Sequence, residues 1–208
     1  MYHPAGNFSE WLRAMRRSLA GGLGMDVACG DCVGCCTSSY FIKIRPDESR
    51  ALAAIDPGHL TESSARDGTR LMGYRDNGHC PMFGAGGCSI YPDRPQTCRT
   101  YDCRVFTAAG MPAGNAEKWM INERVAAWQF EFPTEHDRRE RDAVRAAANF
   151  LRQHPVRFPG GNVPSRPSEI AVLAVKTYEV FMNPIDEEAI GPALIEAARA
   201  FDSAAIAG

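Results

Sequence analysis

After Cys103 the chain has no further cysteine, although eight occur in the first half of its 208 residues. No apolar run approaches the roughly 18 residues of a membrane-spanning helix, so no membrane partner is expected. Neither sign of charge prevails. The formal net charge is −2, which gives no bulk electrostatic reason to expect nucleic acid. Several motifs are missing too: there is no G-x-G-x-x-G after a strand, no P-loop, no G-x-S-x-G and no H-E-x-x-H. The C-x3-C-x2-C spacing of radical S-adenosylmethionine enzymes is also absent, which argues against that chemistry in its usual form. Arg16-Arg17 before Ser18-Leu19-Ala20 imitates a twin-arginine signal, and Val27-Ala28-Cys29 imitates a lipoprotein cleavage site. The short Gly-rich segment between them, interrupted by Asp26, has no hydrophobic stretch, so no export is expected. In the cytoplasmic setting this leaves, clustered cysteines read as metal ligands before they read as disulfides.

The cysteines fall into two groups. The first is Cys29-Gly30-Asp31-Cys32-Val33-Gly34-Cys35-Cys36, or C-x2-C-x2-C-C. The second is Cys80, Cys88, Cys98 and Cys103. A tight turn brings residues i and i+3 to one side, so thiolates at that spacing can grip one metal or cluster. Soft thiolates select zinc, copper(I) or iron–sulfur clusters. Gly30 and Gly34 are expected to free the turns of side-chain clashes and to permit positive φ. Neighbouring side chains of an extended chain point to opposite sides. Cys35 and Cys36 are therefore expected to join different sites, or one of them to remain a spare thiol. Arg94 and Arg99 flank the second group and are expected to balance the thiolate charge at a bound cofactor. The plain alternative is an ion pair with Asp93 or Asp102. His79 is a candidate nitrogen ligand, or simply a hydrogen-bonding neighbour of the site.

Taken together these residues resemble the CxxCxxCC, or YkgJ-type, cysteine-cluster family, described as zinc- or iron-chelating. The resemblance rests on the opening C-x2-C-x2-C-C and on the downstream run Cys88-x-Ile90-Tyr91, Arg94-Pro95 and Cys98-Arg99-x-Tyr101-x-Cys103. It covers roughly residues 29–103. It implies metal binding, with a redox or iron–sulfur role and, in one branch, a likeness to flagellin lysine methylases. Asp102 departs from the pattern, which favours Pro before the last cysteine.

The rest of the chain reads as mainly α, with a loop-rich cysteine-cluster region and a few short β-strands. One domain over 1–208 is expected, with the metal-binding region at 25–105 and a helical region at 114–205 packed on it. Asn7 with Glu10 starts a helix that carries Trp11 toward a core, with Arg13, Arg16 and Arg17 on a solvated face. Residues 40–44 and 69–75 read as strands, Asp76-Asn77-Gly78 as a turn and 61–68 as loop. Helices are expected from about 47 to 55, over 116–131, from Thr134 to about 153, and at 168–182 and 186–204. A loop over 155–167 interrupts them.

Function is expected to follow the sulfur. An iron–sulfur cluster held by Cys29, Cys32, Cys35, Cys36, Cys80, Cys88, Cys98 and Cys103 is the first reading. One or two structural four-cysteine zinc sites are the second. The third is an enzyme acting on a small-molecule or protein substrate, resembling the methylases. Cys35 or Cys36 would be its open thiol, and Tyr91, Tyr101 and Asp102 the nearest polar contacts.

Overall fold

Asn7 opens the first helix as its sequence predicts: its side chain accepts the N–H of Glu10 at 2.9 Å. The computed structural model describes residues 2–22, 24, 25, 27, 31–154 and 164–207. In chain order the elements are β1 (His3–Asn7), α1 (Phe8–Leu19), β2 (Ile42–Ile44), α2 (Ser49–Ala54), β3 (Leu60–Glu62), β4 (Arg70–Met72), β5 (Phe83–Gly84), β6 (Gly87–Cys88), α3 (Gln96–Thr100), α4 (Arg104–Ala109), α5 (Trp119–Ala127), β7 (Trp128–Glu131), α6 (Glu135–Gln153), α7 (Pro167–Thr177) and α8 (Glu187–Ala207). The described residues are thus mainly helical with a few short strands, as expected. Most of the loop read over 155–167 lies outside them.

The chain divides into two compact units. The first comprises Met1–Leu23, Asp102–Asn115 and Asn122–Gly208; the second comprises Gly24–Tyr101 and Ala116–Ile121.

In the first unit, β1 runs parallel to β7, pairing His3 with Trp128 and Asn7 with Glu131. The helix expected over 116–131 therefore stops at Ala127. The physical reason is a change of period. Trp128 and Phe130 alternate with the exposed Gln129 and Glu131, and alternation every second residue is a strand pattern. Thr134 caps α6 with a full capping box, trading hydrogen bonds with Asp137. The face expected on α6, Val144, Ala147, Ala148 and Leu151, is buried. So are Phe8, Leu12 and Met15 of α1, Phe106 of α4 and Ala171, Ala174 and Val175 of α7. Arg16 departs from its expected solvated face. Its guanidinium donates to the carbonyls of Val175 (3.1 Å) and Lys176 (3.0 Å), capping carbonyls near the end of α7 that lack helical partners.

The second unit has a smaller core. Ile44, Ala51, Ile55, Met72 and Ile90 are buried, and Ile42, Leu60, Met82, Cys80 and Cys88 pack against them. The three-stranded sheet runs in the order β2-β4-β3, all antiparallel, with Ile42 and Leu60 both opposite Met72. β3 lies partly in the stretch read as loop. At three residues it is too short to show a period.

Candidate metal centre

Residues Gly34–Thr37 form one turn of 3-10 helix, not the extended chain that was expected. The turn is closed by the Cys36 N–H donating to Val33 O at 2.9 Å and by the Ser38 hydroxyl donating to Gly34 O at 2.5 Å. This overturns the expectation that Cys35 and Cys36 point apart: their Sγ atoms stand 3.9 Å from one another. Gly34 also has a different role from the one expected. Its φ is not positive. It is needed because a Cβ there would meet Ile121 Cγ1 at 3.1 Å and Ile121 N at 3.2 Å. Residues 116–121 return to the cysteine unit and press against the bare backbone of this turn.

Cys80 arrives on the turn expected at Asp76-Asn77-Gly78. The Arg75 N–H donates to His79 O at 2.8 Å, and the Gly78 N–H donates to Arg75 O at 2.7 Å. This turn docks on the first cysteine segment by two backbone bonds, Cys80 N–H to Cys36 O at 2.7 Å and Ser39 N–H to Gly78 O at 2.9 Å. Gly78 has φ +80°, and a Cβ there would lie 2.7 Å from Ser39 Oγ, so both its conformation and its bare face are required.

Cys88 comes on the hairpin of β5 and β6, opposite Phe83. Cys98 lies on α3. The start of α3 is tied down by the Gln96 N–H donating to the Glu48 carboxylate (2.5 Å) and the Thr97 hydroxyl donating to Lys43 O (2.6 Å). As expected, α3 ends before Cys103.

The thiols feel one another. Burial, then Cys35, Cys80 and Cys88, push Cys98 up to about 12. Burial pushes Cys80 up as well, with Cys88 and Cys35 adding to it, while the Met82 N–H and the Arg75 charge pull the other way. The hydrogen bond with Cys36 drives Cys35 far above the ordinary thiol range. Metal ligation needs thiolates, so a metal entering this group must displace protons.

Of the two expected arginines, Arg94 stacks on Tyr91 at 3.9 Å and its charge favours the Cys98 thiolate. Arg99 turns to the backbone, donating to Arg94 O (2.9 Å) and Pro92 O (3.0 Å). The plain alternative of pairing with Asp93 or Asp102 is not what the printed contacts show: Asp93 pairs with Arg50 and Asp102 with Arg104. The His79 ring lies edge-on to Phe83. Arg75, which straddles Cys80, drew no notice from its sequence context.

Cys103 belongs to the first unit, where it is buried and its Sγ accepts the Trp128 indole N–H at 3.2 Å. Beside it, the buried Asp102 accepts the Trp11 indole N–H at 2.9 Å and pairs with Arg104 at 2.8 Å. That burial takes Asp102 out of consideration as a substrate contact. Tyr101 shares a hydroxyl contact with Tyr40 at 3.3 Å. Cys32 is half-buried, and Cys29 lies outside the described residues.

Among the described residues, no three His, Cys, Asp or Glu side chains close around a common point. The donor chemistry nevertheless fits a thiophilic metal. Two thiolates on one tetrahedral zinc, each about 2.3 Å from it, lie about 3.8 Å apart, close to the 3.9 Å between Cys35 and Cys36.

Residues 28–125 match the family model CxxCxxCC, described as "Putative zinc- or iron-chelating domain". This stretch belongs to the CxxCxxCC family. The CxxCxxCC domain contains all eight cysteines and ends within α5, and its description supports metal binding, by zinc or by iron. No curated protein and no solved structure matches the chain. No helix among the described residues is long and apolar enough to cross a membrane.

Proposed function

We propose that the CxxCxxCC domain holds an iron–sulfur centre, with ligands drawn from Cys32, Cys35, Cys36, Cys80, Cys88 and Cys98, and works in redox chemistry. The observation that carries this reading is the 3.9 Å separation of the Cys35 and Cys36 sulfurs, which suits two thiolates on one metal atom. Cys80, Cys88 and Cys98, from two further segments, lie within electrostatic reach of Cys35 or of one another. When bound, such a centre supplies electron transfer at a potential set by hydrogen bonds, charge and solvent exposure. The chain's part is to gather the sulfurs on short turns, to offset their charge with Arg94, and to shield Cys80 and Cys88 against the small core. A cytoplasmic setting goes with this role, since it keeps the thiols reduced.

Zinc is the second reading, because the same sulfur spacing equals the edge of a zinc tetrathiolate. Zinc would stabilise a unit whose core is five buried side chains. Elemental and acid-labile sulfide analysis of anaerobically purified protein separates the two. Iron with sulfide supports the first reading; colourless protein carrying zinc alone replaces it with the second.

A further inference from the structure

Arg75 contacts both flanks of Cys80. Its backbone N–H donates to His79 O at 2.8 Å, and its guanidinium donates to Pro81 O at 2.6 Å. Its own carbonyl accepts the Gly78 N–H at 2.7 Å. One residue therefore fixes the peptide before Cys80, the peptide after it and the turn that docks on Cys36 and Ser39. That docking sets Cys80 against the vicinal pair.

From these contacts we infer that Arg75 is the positioning residue of the metal centre: it presets Cys80 against Cys35–Cys36 and places a permanent positive charge beside the gathered thiolates. The inference rests on the proposed metal-binding role of these cysteines. Arg suits both tasks. Its guanidinium stays charged at any working pH and offers several donors in a rigid fork, so one N–H can hold Pro81 O while the charge remains beside sulfur. The direction of its influence on Cys80 agrees, since the Arg75 charge favours the thiolate against burial and the neighbouring thiols. Outer contacts of this kind typically change metal affinity about 10–100-fold.

Cobalt(II) is the probe. It reports thiolate ligation through its sulfur-to-metal charge-transfer absorption, whether the resident metal is iron or zinc. Metal-free full-length protein is loaded with cobalt(II) and competed with a chelator, for the parent, Cys80→Ser, Arg75→Met and Arg75→Lys, with far-UV circular dichroism checking that each is folded. The parent shows the band and Cys80→Ser weakens it. Arg75→Met loses retention about tenfold, and Arg75→Lys, which keeps the charge, recovers part of that loss. Arg75→Met retaining cobalt like the parent overturns the inference, as does Arg75→Lys matching Arg75→Met. A parent with no thiolate band overturns the metal-site reading itself, an outcome distinct from either.

Discussion

The sulfurs of Cys35 and Cys36 lie 3.9 Å apart although their residues are neighbours in sequence. The 3-10 turn that brings them together depends on contacts from both sides: Ile121 against Gly34, and Cys80 N–H against Cys36 O.

Gly34→Ala tests the first contact. The added methyl would sit 3.1 Å from Ile121 Cγ1 and 3.2 Å from its backbone N, so the turn or residues 116–121 must shift. Overpacking of this kind costs about 1–3 kcal/mol. Chemical denaturation should show that loss, together with a lower metal content in the purified protein. Unchanged stability and metal content would mean the approach is not tight.

Metal removal should act unevenly. The second unit has a core of five buried residues, whereas α1, α4, α6 and α7 bury long apolar faces. Binding free energy at a structural site is folding free energy. Chelation should therefore speed amide exchange in 32–101 and leave α6 protected. Equal acceleration in both would contradict the claim that the sulfur-bound metal stabilises the second unit locally.

Asp102 is a structural anchor in this account. Removing a partner from a buried pair costs about 3–5 kcal/mol, and Asp102→Ala strands Arg104, whose side chain is only 12% exposed. Trp11→Phe removes one donor to the same carboxylate and should cost about 1–3 kcal/mol. Denaturation of both variants and of the double variant measures their coupling; strictly additive losses would show that the two residues do not act as a unit.

The caps at Asn7 and Thr134 were legible from side chains that hydrogen-bond within three residues, and the apolar face of α6 from its period. The positions of seven described cysteines on turns, a hairpin and short helices follow the Gly and Pro punctuation. What was not legible depends on partners distant in sequence. β1 is a strand only because β7 lies beside it, and Gly34 is bare only because Ile121 returns. Arg16 was read as solvated because its acceptors, Val175 and Lys176, are over 150 residues away. Asp102 broke the family pattern because its partners, Trp11 and Arg104, replace what Pro would supply. Cys35 and Cys36 misled for a local reason: a single 3-10 turn reverses the geometry that an extended chain would give.

Acid should find Asp137. Hydrogen bonds from Ser9 and then Thr134 hold its carboxyl well below the usual carboxylate range. A folded-state pKa below the unfolded one gives stability that is present above the unfolded value of about 3.9 and is lost as pH falls below it. Asp137→Asn should therefore flatten the acid limb of the stability curve below about pH 4. The same acid slope in parent and variant, measured by denaturation across that range, would contradict the assignment.

The most direct test is the metal itself. Protein purified without oxygen and analysed at once for iron, acid-labile sulfide and zinc should be brown, carry iron with sulfide, and lose both when Cys36 is replaced by Ser. Parent protein that is colourless and free of iron would contradict the iron–sulfur reading, and protein free of zinc as well would end the claim that these sulfurs are gathered to hold a metal.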